Sequence, residues 1–332
     1  MAHLKLEAEI PLNVSFEPDQ QIEFRFTSPP PVVVILKERN RPDRNENFRR
    51  CNAVCTAIAL PDIQPELKVE LDASLEDGIV KLSKLKPKTI KSVDEILHHM
   101  RAVSRSTLIM FNWTHGLDGP PDPYGLAHAF YSTDGKSWFE YSQVRSVSFN
   151  VEEATHLIHA RNVEIEQVVS KVEAGVEEPL GRQLFREAWG HIGTNPRSAL
   201  VIGVAAAEVG LKRLIGTLIP AAEWLVQEVQ APPMRKILRD FVPTLPASAR
   251  WADGSPIKLP PNIISEVVKA SELRNKVIHV GAMPPNRREL AIMLRAISDL
   301  LWICDVYLGE HWAMKHVSLE TKKNWPSKSN QS

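Results

Sequence analysis

Two rhythms of apolar residues divide this chain. Over the first 150 residues apolar and polar positions alternate. "LKLEAEI" sets Leu4, Leu6, Ala8 and Ile10 on one side and Lys5, Glu7 and Glu9 on the other; "IEFRF" does the same with Ile22, Phe24 and Phe26, and "LKVEL" with Leu67, Val69 and Leu71. A period of two marks a half-buried strand. "PVVVIL" and "STLIMFNW" are unbroken apolar runs and predict central strands, the first set off by Pro29, Pro30 and Pro31. "AFYSTDGKSWFEY" predicts a hairpin whose aromatic strands flank the turn pair Asp134-Gly135. One helix interrupts the strands: "SVDEILHHMRAV", with Ser92 and Glu95 at capping-box spacing and a stripe of Val93, Ile96, Leu97 and Met100.

From Asn150 the period becomes helical. Asn150 can cap a helix that reaches about residue 174, and "AGVEEPLG" (174–181) is the predicted boundary. Helices are expected over about 181–191, after Pro196, in "AAEWLVQEVQ" and in "MRKILRDFV". A Pro-rich connector (243–261) precedes "NIISEVVKASELRNKVIH" and "RRELAIMLRAISDLLWICDVYLG", both with the three-four spacing of bundle helices. The tail "KHVSLETKKNWPSKSNQS" is polar and expected to fray. The expected class is α+β. A β-rich domain covers 1–150, a connecting helix 151–177, an all-α bundle 178–315 and a polar tail 316–332.

Composition narrows the class. The formal net charge is +0, which disfavours one large nucleic-acid surface. The charge is unevenly placed, however. Residues 1–177 hold 20 Lys and Arg against 26 Asp and Glu, while residues 178–332 hold 20 against 14. The second part is therefore the better host for an anion. The cysteines, Cys51, Cys55 and Cys304, are too few for a disulfide framework and point to a reducing, cytoplasmic setting. His98–His99 and His156/His159 read as surface positions rather than metal ligands. "MAHLKLEAEI" alternates charge and is no signal peptide. The apolar run 199–219 could span a bilayer by length, but Glu208, Lys212 and Arg213 each cost about 2.5–3.5 kcal/mol there, so a buried helix and no membrane partner are expected. The basic loop "RNRPDRNENFRR" (39–50) reads as solvated. GxxxxGK, GxGxxG and HExxH are absent.

The chemistry concentrates in "ELRNKVIHVG" (272–281). On a wheel at about 100° per residue with Leu273 at zero, Val277, Ala270 and Val280 fall within about 60° and define a core face. Asn275 and His279 fall near about 200° and 240°, together and away from that core; Arg274 lies on the flank, near about 100°. A capping role accounts for part of this, since Arg and His near a helix C-terminus gain about 0.3–1 kcal/mol each from the dipole. Gly281 would supply the left-handed cap, and Pro284–Pro285 would stop the helix. Glu208, the one acid inside the first apolar helix, either pairs with Lys212 at i,i+4 or faces the motif helix and holds Arg274 or His279.

"ELRNKVIHVG", together with "ALVIGVAAAEVGLKRL", a variable connector and a long closing helix, resembles the HEPN superfamily over about 180–312, nearest to stand-alone prokaryotic members. The resemblance implies an all-α HEPN-like bundle and a homodimer that cleaves RNA without metal or other cofactor. It also implies a toxin or antiviral defence role, with the N-terminal domain answering an unknown ligand or trigger. In that reading Arg274 and His279 are catalytic, Asn275 assists them and Glu208 supports. RNA brings its own nucleophile, the 2′-hydroxyl. An imidazole can move the proton and a guanidinium can grip the phosphate. Arg274 and His279 lie about 140° apart on a straight helix, so two copies meeting across a two-fold axis would pool the groups in one cleft. The alternative is a non-catalytic module that binds RNA or nucleotide, or serves as a dimerisation scaffold.

Overall fold

The computed structural model describes residues 3–12, 14–38, 52–59, 65–117, 127–141, 158–222, 228, 233–246 and 258–324. The chain divides into two units, Met1–Glu177 and Glu178–Ser332. The class is α+β: a sheet-bearing N-terminal unit, then a helical one.

The first unit is built on β1 (His3–Pro11), β3 (Gln21–Phe26), β4 (Val32–Glu38), β5 (Asn52–Ala59), β8 (Ala127–Ser132) and β9 (Phe139–Glu140), with the short β6 (Leu75–Glu76) and β7 (Ile79–Val80) at one edge. The order is β3-β4-β5-β1-β8-β9-β7-β6. A separate parallel pair joins β2 (Val14–Ser15) to β10 (Ile158–His159). Alternation works as expected on the central strands. Leu4, Leu6, Ala8 and Ile10 are buried, and so are their register partners Ala59, Ala57, Cys55 and Ala53. With Ala127 and Ala129 of β8, these small side chains leave one sheet face shallow.

Helix α2 (Pro87–His115) lies on that sheet, against β4, β5 and β1. Phe111 meets Phe24 edge-on, with centroids 6.0 Å apart. Here the sequence expectation fails twice. Ser92 lies inside the helix, which starts instead at Pro87 in its first turn. "STLIMFNW" is its second half, not a strand. A helix buried on most sides reads as an unbroken apolar run, so periodicity alone does not separate it from a central strand. Its polar residues fit because Ser104, Thr107 and Thr114 donate their hydroxyls to carbonyls four residues back. Gly116, at φ 62, ends it. "LKVEL" is also helical, within α1 (Pro65–Ala73). Leu67 and Leu71 are four apart, and Val69 is 67% exposed, which a shared strand face would not allow.

The expected hairpin is present, with Tyr131 opposite Phe139, but its loop is longer than a two-residue turn. Asp134 holds it by accepting the N–H groups of Lys136 and Ser137, both at 2.8 Å, and Gly135 takes φ 74. The helix expected from 150 is shorter: α3 spans Ile165–Glu173, after a 3-10 turn at Ala160–Asn162. It packs on β3 and α2. His115 ties them together, taking the Glu164 N–H on Nε2 at 3.1 Å and using Nδ1 toward the Phe111 carbonyl at 3.0 Å. Residues 39–50 and 150–157 lie outside the described residues.

The second unit packs α4 (Leu180–Gly190), α5 (Pro196–Leu218), α6 (Pro261–His279) and α7 (Arg287–Tyr307). The long apolar run forms α5, and no helix among the described residues is long and apolar enough to cross a membrane. Gly203 and Gly210 let α7 approach, because a Cβ at either would collide with Leu294 or Leu301. "AAEWLVQEVQ" lies almost wholly outside the described residues. "MRKILRDFV" forms one α-turn, a π turn (Ile237–Phe241) and a 3-10 turn. As far as residue 324 the tail is better fixed than its polarity suggests, and residues 325–332 lie outside the described residues. Ser318 caps α8 (Leu319–Lys323), and the buried Asp299 accepts from the Ser318 backbone and from the Ser318 and Thr321 hydroxyls.

Candidate functional site

The motif helix α6 starts at Pro261, a residue suited to a first helical turn, and ends at His279. Ile263, Val267, Val268, Ala270 and Val277 are buried along one stripe. Gly281 takes φ 67, as its place after the helix predicts. Val280 departs from the wheel. It falls beyond the last helical residue and is 79% exposed.

Arg274 and Glu208 meet. Arg274 Nη2 donates to Glu208 Oε1, and Nη1 donates to Asn275 Oδ1 at 3.1 Å. The two charged side chains are only 15% and 12% exposed. Burial raises the Glu208 carboxyl above its ordinary range; Arg274 and Lys212 pull it back part of the way. Of the partners foreseen for Glu208 (Lys212, Arg274 or His279), the salt bridge goes to Arg274. Glu208 and Arg274 sit 66 residues apart on α5 and α6, so the packing of those helices sets their geometry. An arginine has five N–H donors. Two are engaged here, which leaves three.

His279 and Asn275 are exposed. Five residues separate His279 from Arg274, which is about 7.5 Å of rise and about 140° of turn. Within one chain the structure brings together Arg274, Asn275 and Glu208, and leaves His279 on a different side of the helix. Exposed apolar residues follow closely in the chain: Ile278 is 49% exposed and Met283 82%, and α7 carries Ile292, 48% exposed. Among the described residues no group of three or more His, Cys, Asp or Glu is placed to hold a metal ion.

A buried charge network escaped the sequence reading. Arg186 pairs with Glu178 at 2.6 Å, and Arg213 with Asp305 at 2.8 Å. Arg182 reaches Asp305 at 3.4 Å and lies over the Trp302 ring, 3.2 Å from its centroid. Burial raises Glu178 to about 7 and lowers Arg182 to about 10. The network joins α4, α5 and α7. One signal was available: Arg182, Phe185, Arg186 and Trp189 share one helical stripe, so the two arginines lie on an apolar face. No family model, curated protein or solved structure matches the chain.

Proposed function

We propose that the second unit is a HEPN-type ribonuclease that acts as a homodimer without metal, and that the first unit regulates it. One observation carries this reading. Glu208 and Asn275 fix the Arg274 guanidinium, while His279 stands open at the end of the same helix. Arg274 grips the phosphate with its remaining N–H donors, whose planar fork suits two phosphate oxygens. His279 takes the proton of the 2′-hydroxyl or returns one to the leaving 5′-oxygen. Asn275 steadies the guanidinium from the outer side.

The dimer supplies what one chain lacks. Ile278, Val280, Met283 and Ile292 offer an apolar surface beside the motif, and a two-fold contact there would set the His279 of one copy near the Arg274 of the other. A toxin or defence effector is the corresponding biological role. It gives the sheet-bearing unit the task of restraint or trigger recognition.

The same ion pair favours a second reading, in which Arg274 only clamps α5 to α6 and the bundle is a non-catalytic binding or dimerisation module. Expression of wild type, His279→Ala and Arg274→Ala with RNA integrity as readout separates the two. The ribonuclease reading expects RNA fragments with wild type, resistant to chelators and absent with both variants. Intact RNA in all three, under conditions where the dimer forms, leaves the clamp reading. Fragmentation that needs added metal contradicts the proposed chemistry.

A further inference from the structure

Helix directions place a set of cations at the motif end of the bundle. Gly203 of α5 faces Leu294 of α7, and Gly210 faces Leu301, so α5 and α7 run the same way. Arg197 precedes Gly203 by six residues and Arg288 precedes Leu294 by six, so each stands about 9 Å above that contact at 1.5 Å per residue. Arg287 is one residue further out. Helix α6 packs on α5 and α7 and joins α7 through a short connection, so it runs the opposite way. From the Arg274–Glu208 pair, five residues below Gly203, it climbs to bring His279 back to about the Gly203 level. Lys276 lies between. Arg197, Lys276, Arg287 and Arg288 thus share with the open imidazole a stretch of about 15 Å of bundle axis.

All four cations are exposed, and among the described residues no salt bridge engages them. Helix stability does not explain them. Arg197, Arg287 and Arg288 occupy first turns of α5 and α7, where a positive charge opposes the helix dipole at about 0.3–1 kcal/mol each. The caps there come from Asn195 and Asn286. Among the described residues, the acids that share this end of the packed helices are Glu187 on α4 and Glu289 on α7. They leave a positive excess.

We infer that Arg197, Arg287 and Arg288, with Lys276, form a track for the sugar-phosphate backbone of a single RNA strand leading to His279. Its identification as a substrate track rests on the ribonuclease reading; the cation cluster itself does not. Spaced cations on rigid helix ends match repeated phosphates and read no base sequence.

The test uses the full chain and a fluorescent 2′-O-methyl RNA 12-mer, which lacks the nucleophile and is not cut. Anisotropy is measured from about 50 to about 200 mM KCl, the range over which phosphate contacts are lost. Arg197→Gln/Arg287→Gln/Arg288→Gln is expected to weaken binding roughly tenfold or more at the lowest salt. It should also flatten the slope of log affinity against log salt by about 2, near 0.7 per lost contact. Glu289→Gln should tighten binding. These side chains are exposed, and an unchanged thermal melt checks the fold. An unchanged slope in the triple variant, or no binding by wild type, overturns the track. Cleavage assays with His279→Ala distinguish the two ideas. Lost cleavage with an unchanged triple-variant slope removes the track alone; retained cleavage with a flattened slope removes the proposed chemistry and leaves the track.

Discussion

Replacing Arg274 by Met keeps most of the aliphatic stem and removes the guanidinium, which isolates the charge. Glu208 would then sit 12% exposed without its salt-bridge partner. Loss of a charge-assisted hydrogen bond at a mostly buried site costs about 1.5–3 kcal/mol, so about 2 kcal/mol is expected here. Burial is the largest influence on this carboxyl and raises its pKa. The folded state therefore holds the Glu208 proton better than the unfolded chain does. Its contribution to stability is fully present below the ordinary value of 4.5 and declines as pH rises through the raised value. Arg274→Met raises that value further. Its defect should be largest near neutral pH and shrink in mild acid, where the stranded carboxylate is neutralised. Glu208→Gln in the same chain should recover at least about 1 kcal/mol, because the penalty belongs to the unpaired charge. Hydrogen exchange of peptides from α5 and α6 measures local opening without assuming that the whole two-unit chain unfolds in one step. A double variant no more stable than Arg274→Met, together with a pH-independent defect, would refute the argument.

Three further outcomes follow from the other contacts. Carbon-detected NMR should find Asp134 titrating near about 2, because backbone N–H groups stabilise its charged form; the loop's hold is complete above about 3.8 and is lost as pH falls through about 2. His115→Ala should destabilise the first unit by about 3 kcal/mol in urea unfolding, since it opens a cavity and leaves the Glu164 N–H without this acceptor. Gly210→Ala should cost about 1–3 kcal/mol through the collision with Leu301 and lower the melting temperature, while Gly190→Ala, in open space, serves as the control.

The parts of the fold that could be read from sequence are those where one face is buried and the other wet. The central strand β1, the bundle helices α4 to α6 and the first half of α7 belong here, because a two-sided environment writes its period into the residues; from Asp299 to Tyr307 α7 is buried throughout. The second half of α2 does not. It is surrounded by sheet and α3, so Phe111 and Trp113 are buried along with Thr107 and Thr114, and no polar face remains to set a period. "LKVEL" misled through brevity: five residues of alternation also place two leucines four apart. In the site, exposure of Asn275 and His279 was legible from the wheel. The Arg274–Glu208 pair was open to two readings because it depends on how α5 meets α6. The buried arginines were hidden because Arg182 and Arg186 find their counter-ions on Asp305 and on Glu178, one of them 123 residues away.

That distance has a consequence for synthesis. Arg182 and Arg213 share Asp305, 123 and 92 residues further along the chain. While the nascent polypeptide is still short of Asp305, the buried Arg182 lacks the counter-charge that offsets its desolvation, so α4 and α5 close at a cost that α7 later removes. Completion of this unit is thereby tied to the arrival of α7 from the ribosome. A prematurely terminated product would carry the Arg274–His279 segment in a half-assembled scaffold.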